Sequence, residues 1–588
     1  MDVELTVAAA LFTTVLGGCL GGSNPRASGS RGASTAMFSC NAAATPQQDS
    51  LRRLTATQYR NTLASLTAWS LSSPSLGEAA MQELGDILAK VPDDQREPVP
   101  QDLHGSYRRL DQTLQQEHVD GYYAVGVAVG ATLTDATRLA TVVGACATDG
   151  NPSNDAKCLD DFVRRFGAKA LRRPLTDDEV TFYRSVYGTD AAANAEAYAD
   201  VIGVMLNAPE FLYFVEHGDA PVAGQPGVFE VSTFELASRL SYQFWETMPD
   251  EELWQAASDG TLRQPEIYAR QVERIYDDPR TKTTLSRFVA DWLKVEDLPP
   301  LDAHNQDPTF RTFAGPNLPS PALRQQMIDD TSGMVGYYVF TKPGSMSELL
   351  TSDLSFNRGA ELANIYGVGA WDGVSAPPLF ARGQRPGLLT RALFLTSGSA
   401  NTRPIRKGVF LRRRMLCDDI PPPPPGQNAV PPELRPDMTT REVVEELTEK
   451  AGTVCLGCHG TAINALGFAT ENFDALGRRR TAQQLFDATG NEVGQRPVDT
   501  HSIPAVESGD KTASTGAGDL VRLVLESGKA EACLARNYFR FSFARWEDVA
   551  TDGCTLEDLR VRLDNGAALS ALLKEVALSP QFRRRAFQ

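Results

Sequence analysis

The chain has 588 residues, 42% hydrophobic and 22% charged, the composition of a folded globular protein. It is too long for one ordinary core and is expected to divide into several domains. A net charge of −17 excludes nucleic acid and anionic lipid as the main partner, because a phosphate array would be repelled.

The N-terminus reads MDVELTVAAALFTTVLGGCLGGSN. Its apolar run has the length of an export signal and is too short to span a bilayer. It ends in Leu16-Gly17-Gly18-Cys19, which resembles a bacterial lipobox, the motif in which the cysteine sulfur receives a lipid. Asp2 and Glu4 stand where such signals carry lysine or arginine. A Gly/Ser/Ala-rich stretch over 21–35 reads as a tether. These features predict an exported protein, periplasmic or at the cell surface, anchored to the outer membrane through Cys19. Residues 1–19 are then the signal and 20–48 the flexible tether.

Helix-start signals recur along the rest of the chain, and runs alternating with the period of a strand are few. Capping boxes, in which a Ser or Thr and a Glu or Gln three residues on satisfy each other's backbone N–H groups, begin at Thr55, Thr176, Ser232 and Thr439. Apolar residues at helical spacing follow each one. The expected fold is mainly α, that of a multi-domain helical protein. Linker-like composition at 217–227 and 369–386 and five prolines at 421–425 punctuate it. Expected modules span 49–148, 149–217, 228–368, 380–481 and 482–588. Arginine runs at 412–414, 478–480 and 583–585 read as solvated helix faces.

Nine cysteines are present. Setting aside Cys19 and the pair Cys455/Cys458 leaves six, an even number that export into an oxidising compartment would pair. Cys146 with Cys158, and Cys533 with Cys554, are close in sequence; Cys40 and Cys417 then pair by elimination.

The most informative stretch is Cys455-Leu-Gly-Cys458-His459. In a c-type haem site two thiols add across the two porphyrin vinyl groups, and the adjacent histidine becomes the axial ligand of the iron. A structural zinc would need a second ligand pair at short spacing, and His104, His118, His217, His304 and His501 are isolated. A thioredoxin-like dithiol would sit in a βαβ setting, absent here. The motif therefore predicts one covalent haem c, held by Cys455, Cys458 and His459. It makes 380–481 the haem-carrying module and gives the mainly α fold a C-terminal cytochrome-c-like haem-binding region.

At this point the chain resembles the large exported haem proteins labelled planctomycete-type cytochromes, built from tandem domains of unknown function. The resemblance runs through Arg52-Arg53-Leu54-Thr55 with Gln58–Thr62, then Phe166-Gly167, Arg172–Thr176 and Glu179. It continues through Glu235–Tyr242, Trp245, Met248-Pro249-Asp250 and Leu253. Last come Arg385–Thr390 and the haem motif with Leu466-Gly467-Phe468, Glu471–Asp474 and Gly477. It implies architecture and cofactor but no substrate. Relatives often carry Met and Asp-Pro shortly after the haem histidine, where this chain has Ile463, Asn464 and Ala465.

The second axial position separates carriers from catalysts. No methionine follows Met438, and His501 is the only histidine downstream of the motif. The sixth ligand is thus Met438 or another upstream methionine such as Met415, or His501, or solvent at an open site. Two functions follow: electron transfer to or from an unidentified periplasmic or surface partner, or a haem enzyme of peroxidase or oxygenase type with an open iron. A polysaccharide- or protein-binding scaffold with ancillary haem is a third. Arg478, Arg479 and Arg480 form surface salt bridges or, alternatively, bind a haem propionate. The sequence holds no phosphate loop, no His-Glu-x-x-His and no Gly-x-Ser-x-Gly.

Overall fold

The computed structural model describes residues 38–42, 44, 51–100, 105–189, 192–420 and 433–587. The expected export segment, Cys19, most of the tether and the prolines 421–425 lie outside the described residues.

Helix dominates. Each capping box read from the sequence starts one: Ala56–Ser70 behind Thr55, Asp177–Tyr187 behind Thr176, Thr233–Trp245 behind Ser232 and Thr440–Thr448 behind Thr439. Each such cap stabilises its helix by about 1 kcal/mol. The strands are short antiparallel pairs. Arg52–Arg53 pairs with Tyr213–Phe214, Val228–Glu230 with Arg584–Ala586, and Ala482–Phe486 with Glu492–Pro497. The first two join segments far apart in sequence, closing the chain on itself. No helix among the described residues is long and apolar enough to cross a membrane.

The cores do not follow the segment boundaries expected from composition. Leu63 and Val129 share one hydrophobic cluster with Phe162 and Tyr198, so the boundary at 148/149 does not separate two cores. Helix Gln116–Leu133 packs directly on helix Ala195–Leu206. A larger cluster joins residues of 228–368 to residues of 482–588. In it Phe288 meets Tyr538 edge to face at 5.2 Å, and the Tyr268 hydroxyl donates to the Ala577 carbonyl at 2.6 Å.

Cys146 is bonded to Cys158. The other two pairs differ from expectation: Cys40 is bonded to Cys554 and Cys417 to Cys533. Sequence proximity misleads here because Cys533 and Cys554 sit on different helices with different neighbours. Cys533, on helix Lys529–Phe543, faces the Arg414–Cys417 segment, its sulfur 3.3 Å from the Arg414 carbonyl oxygen. Cys554, on helix Val549–Asp564, faces residues 39–40: a Cβ on neighbouring Gly553 would lie 2.0 Å from the Ser39 carbonyl oxygen.

The arginine runs also depart from expectation. Arg412 is fully buried and Arg585 nearly so, because each finds acceptors inside. The Arg412 guanidinium donates to Asp418 and to the carbonyls of Ala462, Pro504 and Ala505.

One buried acid is poorly compensated. Glu531 is 4% exposed, with its Oε2 lacking a hydrogen-bond partner. Burial, reinforced by Asp564 and only partly opposed by Arg560, pushes its carboxyl up to about 7. The unfolded chain ionises this group first, so stability falls as pH rises from the ordinary carboxylate range through 7. At about 1.36 kcal/mol per pKa unit the loss is ~3 kcal/mol. Glu531→Gln should therefore raise the melting temperature at pH 8 and change it little at pH 4.5. Thermal melts at the two pH values check this.

Candidate functional site

The segment around Cys455 is built by local rules. Helix Thr440–Thr448 is capped by Thr439 and Glu442. A turn through Gly452 (φ 79°) reverses the chain into helix Val454–Cys458. That helix runs into a widened π-helical turn, His459–Ile463, and then helix Asn464–Phe468. Cys455 and Cys458, three apart on a helical turn, share a face, with His459 one position on.

The widened turn decides what the imidazole meets. In a π-turn residue i+5, not i+4, returns to the same face. Here that residue is Asn464, fully buried, whose Oδ1 lies 3.1 Å from His459 Nδ1. The Asn464 amide nitrogen donates to Thr448 Oγ1 at 2.9 Å and to Glu449 Oε1 at 2.8 Å. With that nitrogen engaged as donor, Oδ1 must accept, so the proton sits on His459 Nδ1 and Nε2 presents a lone pair. This is the arrangement that orients a metal-binding histidine.

Apolar side chains surround the turn: Ala462, Ile463 and Ile420 are buried, and Ile405, Val409 and Cys458 pack against them. Helix Pro404–Phe410 crosses this segment at two glycines. A Cβ on Gly408 would lie 1.9 Å from the Ile463 carbonyl oxygen, and one on Gly467 would lie 2.0 Å from that of Pro404. Only glycine permits that approach.

Beneath the crossing, Glu471 accepts from Lys407 Nζ at 2.7 Å, Thr402 Oγ1 at 2.7 Å and Arg480 Nη2 at 3.0 Å. Burial pushes this carboxyl up, but Lys407 and Arg480 hold it below its ordinary value, so the pair is charged. Arg478 donates to Asp474 at 2.6 Å and to the carbonyls of Phe313 and Ala314. Two of the three arginines considered for a propionate are thus engaged in internal ion pairs, and Arg479 is exposed.

The structure places the other sequence-derived candidates apart. Met415 is fully buried in the large central core. Met438 is half-buried just ahead of the Thr439 cap, and His501 is exposed. The His501 carbonyl accepts from Arg441 at 2.8 Å, and Arg441 lies over the Phe468 ring, which ties the 499–501 loop to this module. Among the described residues, neither Met438 nor His501 belongs to the apolar cluster around Cys458 and Ile463, and no group of three or more His, Cys, Asp or Glu side chains is set to hold a metal ion. Cys455 carries a free thiol and is half-exposed. Cys458 is half-exposed and packs against the apolar cluster.

Three family models match in tandem. Residues 158–216 match PSD5, protein of unknown function (DUF1595); 231–368 match PSD4, protein of unknown function (DUF1592); 385–483 match PSCyt3, protein of unknown function (DUF1588). Together they cover about half of the chain. The chain belongs to the planctomycete-type cytochrome family of tandem domains. No curated protein and no solved structure matches it. The third matched segment contains the Cys455–His459 motif, the glycine crossing and the Glu471 network. Asn464, Gly408 and Arg412 are the residues sequence reasoning missed. Asn464 had a visible signal, its departure from the relatives' pattern, but its role depends on the π-turn.

Glu471→Gln should destabilise the protein by ~3 kcal/mol, because it leaves the buried Lys407 ammonium uncompensated. The paired change Glu471→Gln/Lys407→Met should recover part of that loss, as read by denaturant unfolding.

Proposed function

We propose that the chain carries one haem c, linked through Cys455 and Cys458 with His459 as axial ligand, and that it transfers electrons to or from an exported redox partner. The observation carrying this reading is the His459–Asn464 pair, which holds the proton on Nδ1 and leaves Nε2 available to iron. When bound, the haem supplies a one-electron redox change. The chain's own residues supply the rest. Asn464 fixes the ring and raises its basicity, while Ile405, Val409, Ile420 and Ile463 provide an apolar wall. Exposed Val454 and Leu447 leave apolar surface beside the motif. On this reading the protein is exported to the periplasm or outer membrane and anchored by a lipid on Cys19; the three disulfides among the described residues support an oxidising compartment.

A haem enzyme with an open sixth position is the second reading. It is favoured by the burial of Met415 in another core and the exposure of His501.

Protein matured in a host equipped for haem attachment should stain for haem on a denaturing gel and gain the mass of one macrocycle. An electron carrier gives a low-spin spectrum indifferent to cyanide, and a high-spin spectrum that shifts with cyanide selects the enzyme. Colourless protein without added mass sinks both. Asn464→Ala should raise the midpoint potential, because a less basic imidazole stabilises ferric iron less; a redox titration measures it.

A further inference from the structure

A cavity of about 280 Å³ lies between helix Pro404–Phe410, with the π-helical turn Leu411–Met415 that continues it, and the segments 293–299 and 393–397. Helix Pro404–Phe410 serves two places at once. Its Ile405 and Val409 pack into the apolar cluster beside Cys458 and Ile463, and they also line the cavity. The cavity therefore begins where the wall of the haem motif ends.

Its charge runs against the net −17 of the chain. Among the described residues six cationic side chains line it against one carboxylate, Asp297. Three of the six are matched: Lys294 pairs with Glu296 at 2.8 Å, Lys407 with Glu471 at 2.7 Å and Arg414 with Asp297 at 3.3 Å. The other three, Arg403, Arg406 and Arg413, have no carboxylate partner among the described residues. Residues 421–432, which follow directly, contain no Asp or Glu.

The donors of these arginines are largely unused. Arg413 donates to the carbonyl of Ile420, a member of the motif's apolar cluster, at 2.8 Å. The side chains of Arg403 and Arg406 make no hydrogen bond among the described residues, and Arg403 Nε is buried. Arg414 Nη1 is also buried without an acceptor. Burial and the neighbouring Arg406 charge push the Arg403 guanidinium below its ordinary value, and burial pushes Arg414 down to about 10. Buried donors without acceptors are costly unless an anion fills the space before them.

We infer that this cavity receives the two propionates of the haem, with Arg403, Arg406 and Arg413 as their hydrogen-bond donors. The inference rests on the haem reading of Cys455, Cys458 and His459. A macrocycle tethered through its vinyl carbons carries its propionates on the opposite edge, away from the motif helix. Their receptors belong beyond the apolar side chains that back Cys458, and Ile405 and Val409 lead directly to these arginines. Guanidinium forks match carboxylates in geometry as well as charge. Arg478 and Arg480 are already engaged by Asp474 and Glu471.

Resonance Raman spectroscopy and redox titration of the haem-loaded full chain, at fixed pH and ionic strength, test this. The propionate bending band follows hydrogen bonding at the carboxylates. In Arg403→Gln/Arg406→Gln it should move to lower frequency, and the midpoint potential should fall as positive charge near the iron is lost. Neither side chain is hydrogen-bonded among the described residues, so far-UV circular dichroism should match the parent. Arg403→Lys/Arg406→Lys should keep most of the potential and still displace the band, because lysine retains the charge without the fork. Arg479→Gln, an exposed change beside the motif segment, should alter neither. A band unmoved in the double glutamine variant overturns the inference, and so does a band that moves in Arg479→Gln instead. If the band stays put and calorimetry shows the parent binding succinate, the cavity serves a dissolved dicarboxylate, which overturns it too. Haem staining separates the two readings: a stained parent with an unmoved band loses only the propionate site, whereas an unstained parent loses the haem reading and this inference with it.

Discussion

The motif segment depends on one buried amide. Asn464 has its oxygen against His459 and its nitrogen against Thr448 and Glu449, so rotating the amide would set its oxygen against the Glu449 carboxylate and remove the acceptor from His459 Nδ1. Its position beneath the ring requires the π-turn, and a π-turn disturbs the regular ladder of backbone hydrogen bonds. Arg412, from the neighbouring helix, donates to the Ala462 carbonyl within that turn. Arg412 is itself buried and bonded to Asp418 and to the 504–505 backbone. The ring orientation is therefore tied, through one amide and one guanidinium, to a segment some forty residues downstream. A leucine at 464 would suit the burial and remove the acceptor.

Buried ion pairs play the same part at other seams. Glu471 joins Lys407 to Arg480, Glu216 joins Arg239 to Arg585, and Glu547 joins Arg536 to Arg540. Such pairs cost desolvation and add little net stability over apolar contacts. They do define geometry, since a carboxylate with two guanidinium partners admits few positions. Apolar helix faces tolerate sliding, whereas these joints do not. Of these joints the one at Glu216 links two matched segments, so charge geometry fixes their register there.

Legibility in the sequence tracked how local each interaction is. Capping boxes could be read because cap and partner lie three residues apart. The Cys146–Cys158 bond spans twelve residues. The Cys40–Cys554 bond spans 514, and no property of either cysteine points to the other. Arg412 looks like a surface charge until its acceptors are known. Gly408 looks like an unremarkable helical glycine until Ile463 is placed against it. The Cys-x-x-Cys-His motif was plain as a string, but the part played by the residue after Ile463 was not. In the fold Asn464 accepts from the imidazole, as the relatives' aspartate could, and its amide nitrogen adds donors to Thr448 and Glu449.

The small size of the apolar cluster at the motif bears on why the haem would be covalent. Three buried residues, Ile420, Ala462 and Ile463, with a few partly buried neighbours, form that cluster. At roughly 1.5–3 kcal/mol for each fully buried large aliphatic side chain, such a wall gives a macrocycle only modest grip. Cys455 and His459 are themselves half-exposed. A group held by burial alone would need a deep pocket closed on all sides, and a deep pocket would distance its edge from a partner. Two thioether links replace that burial. On the proposed reading, tethering at Cys455 and Cys458 lets the haem remain on a shallow, partly open surface, where a partner can approach its edge without rearrangement of the helical body.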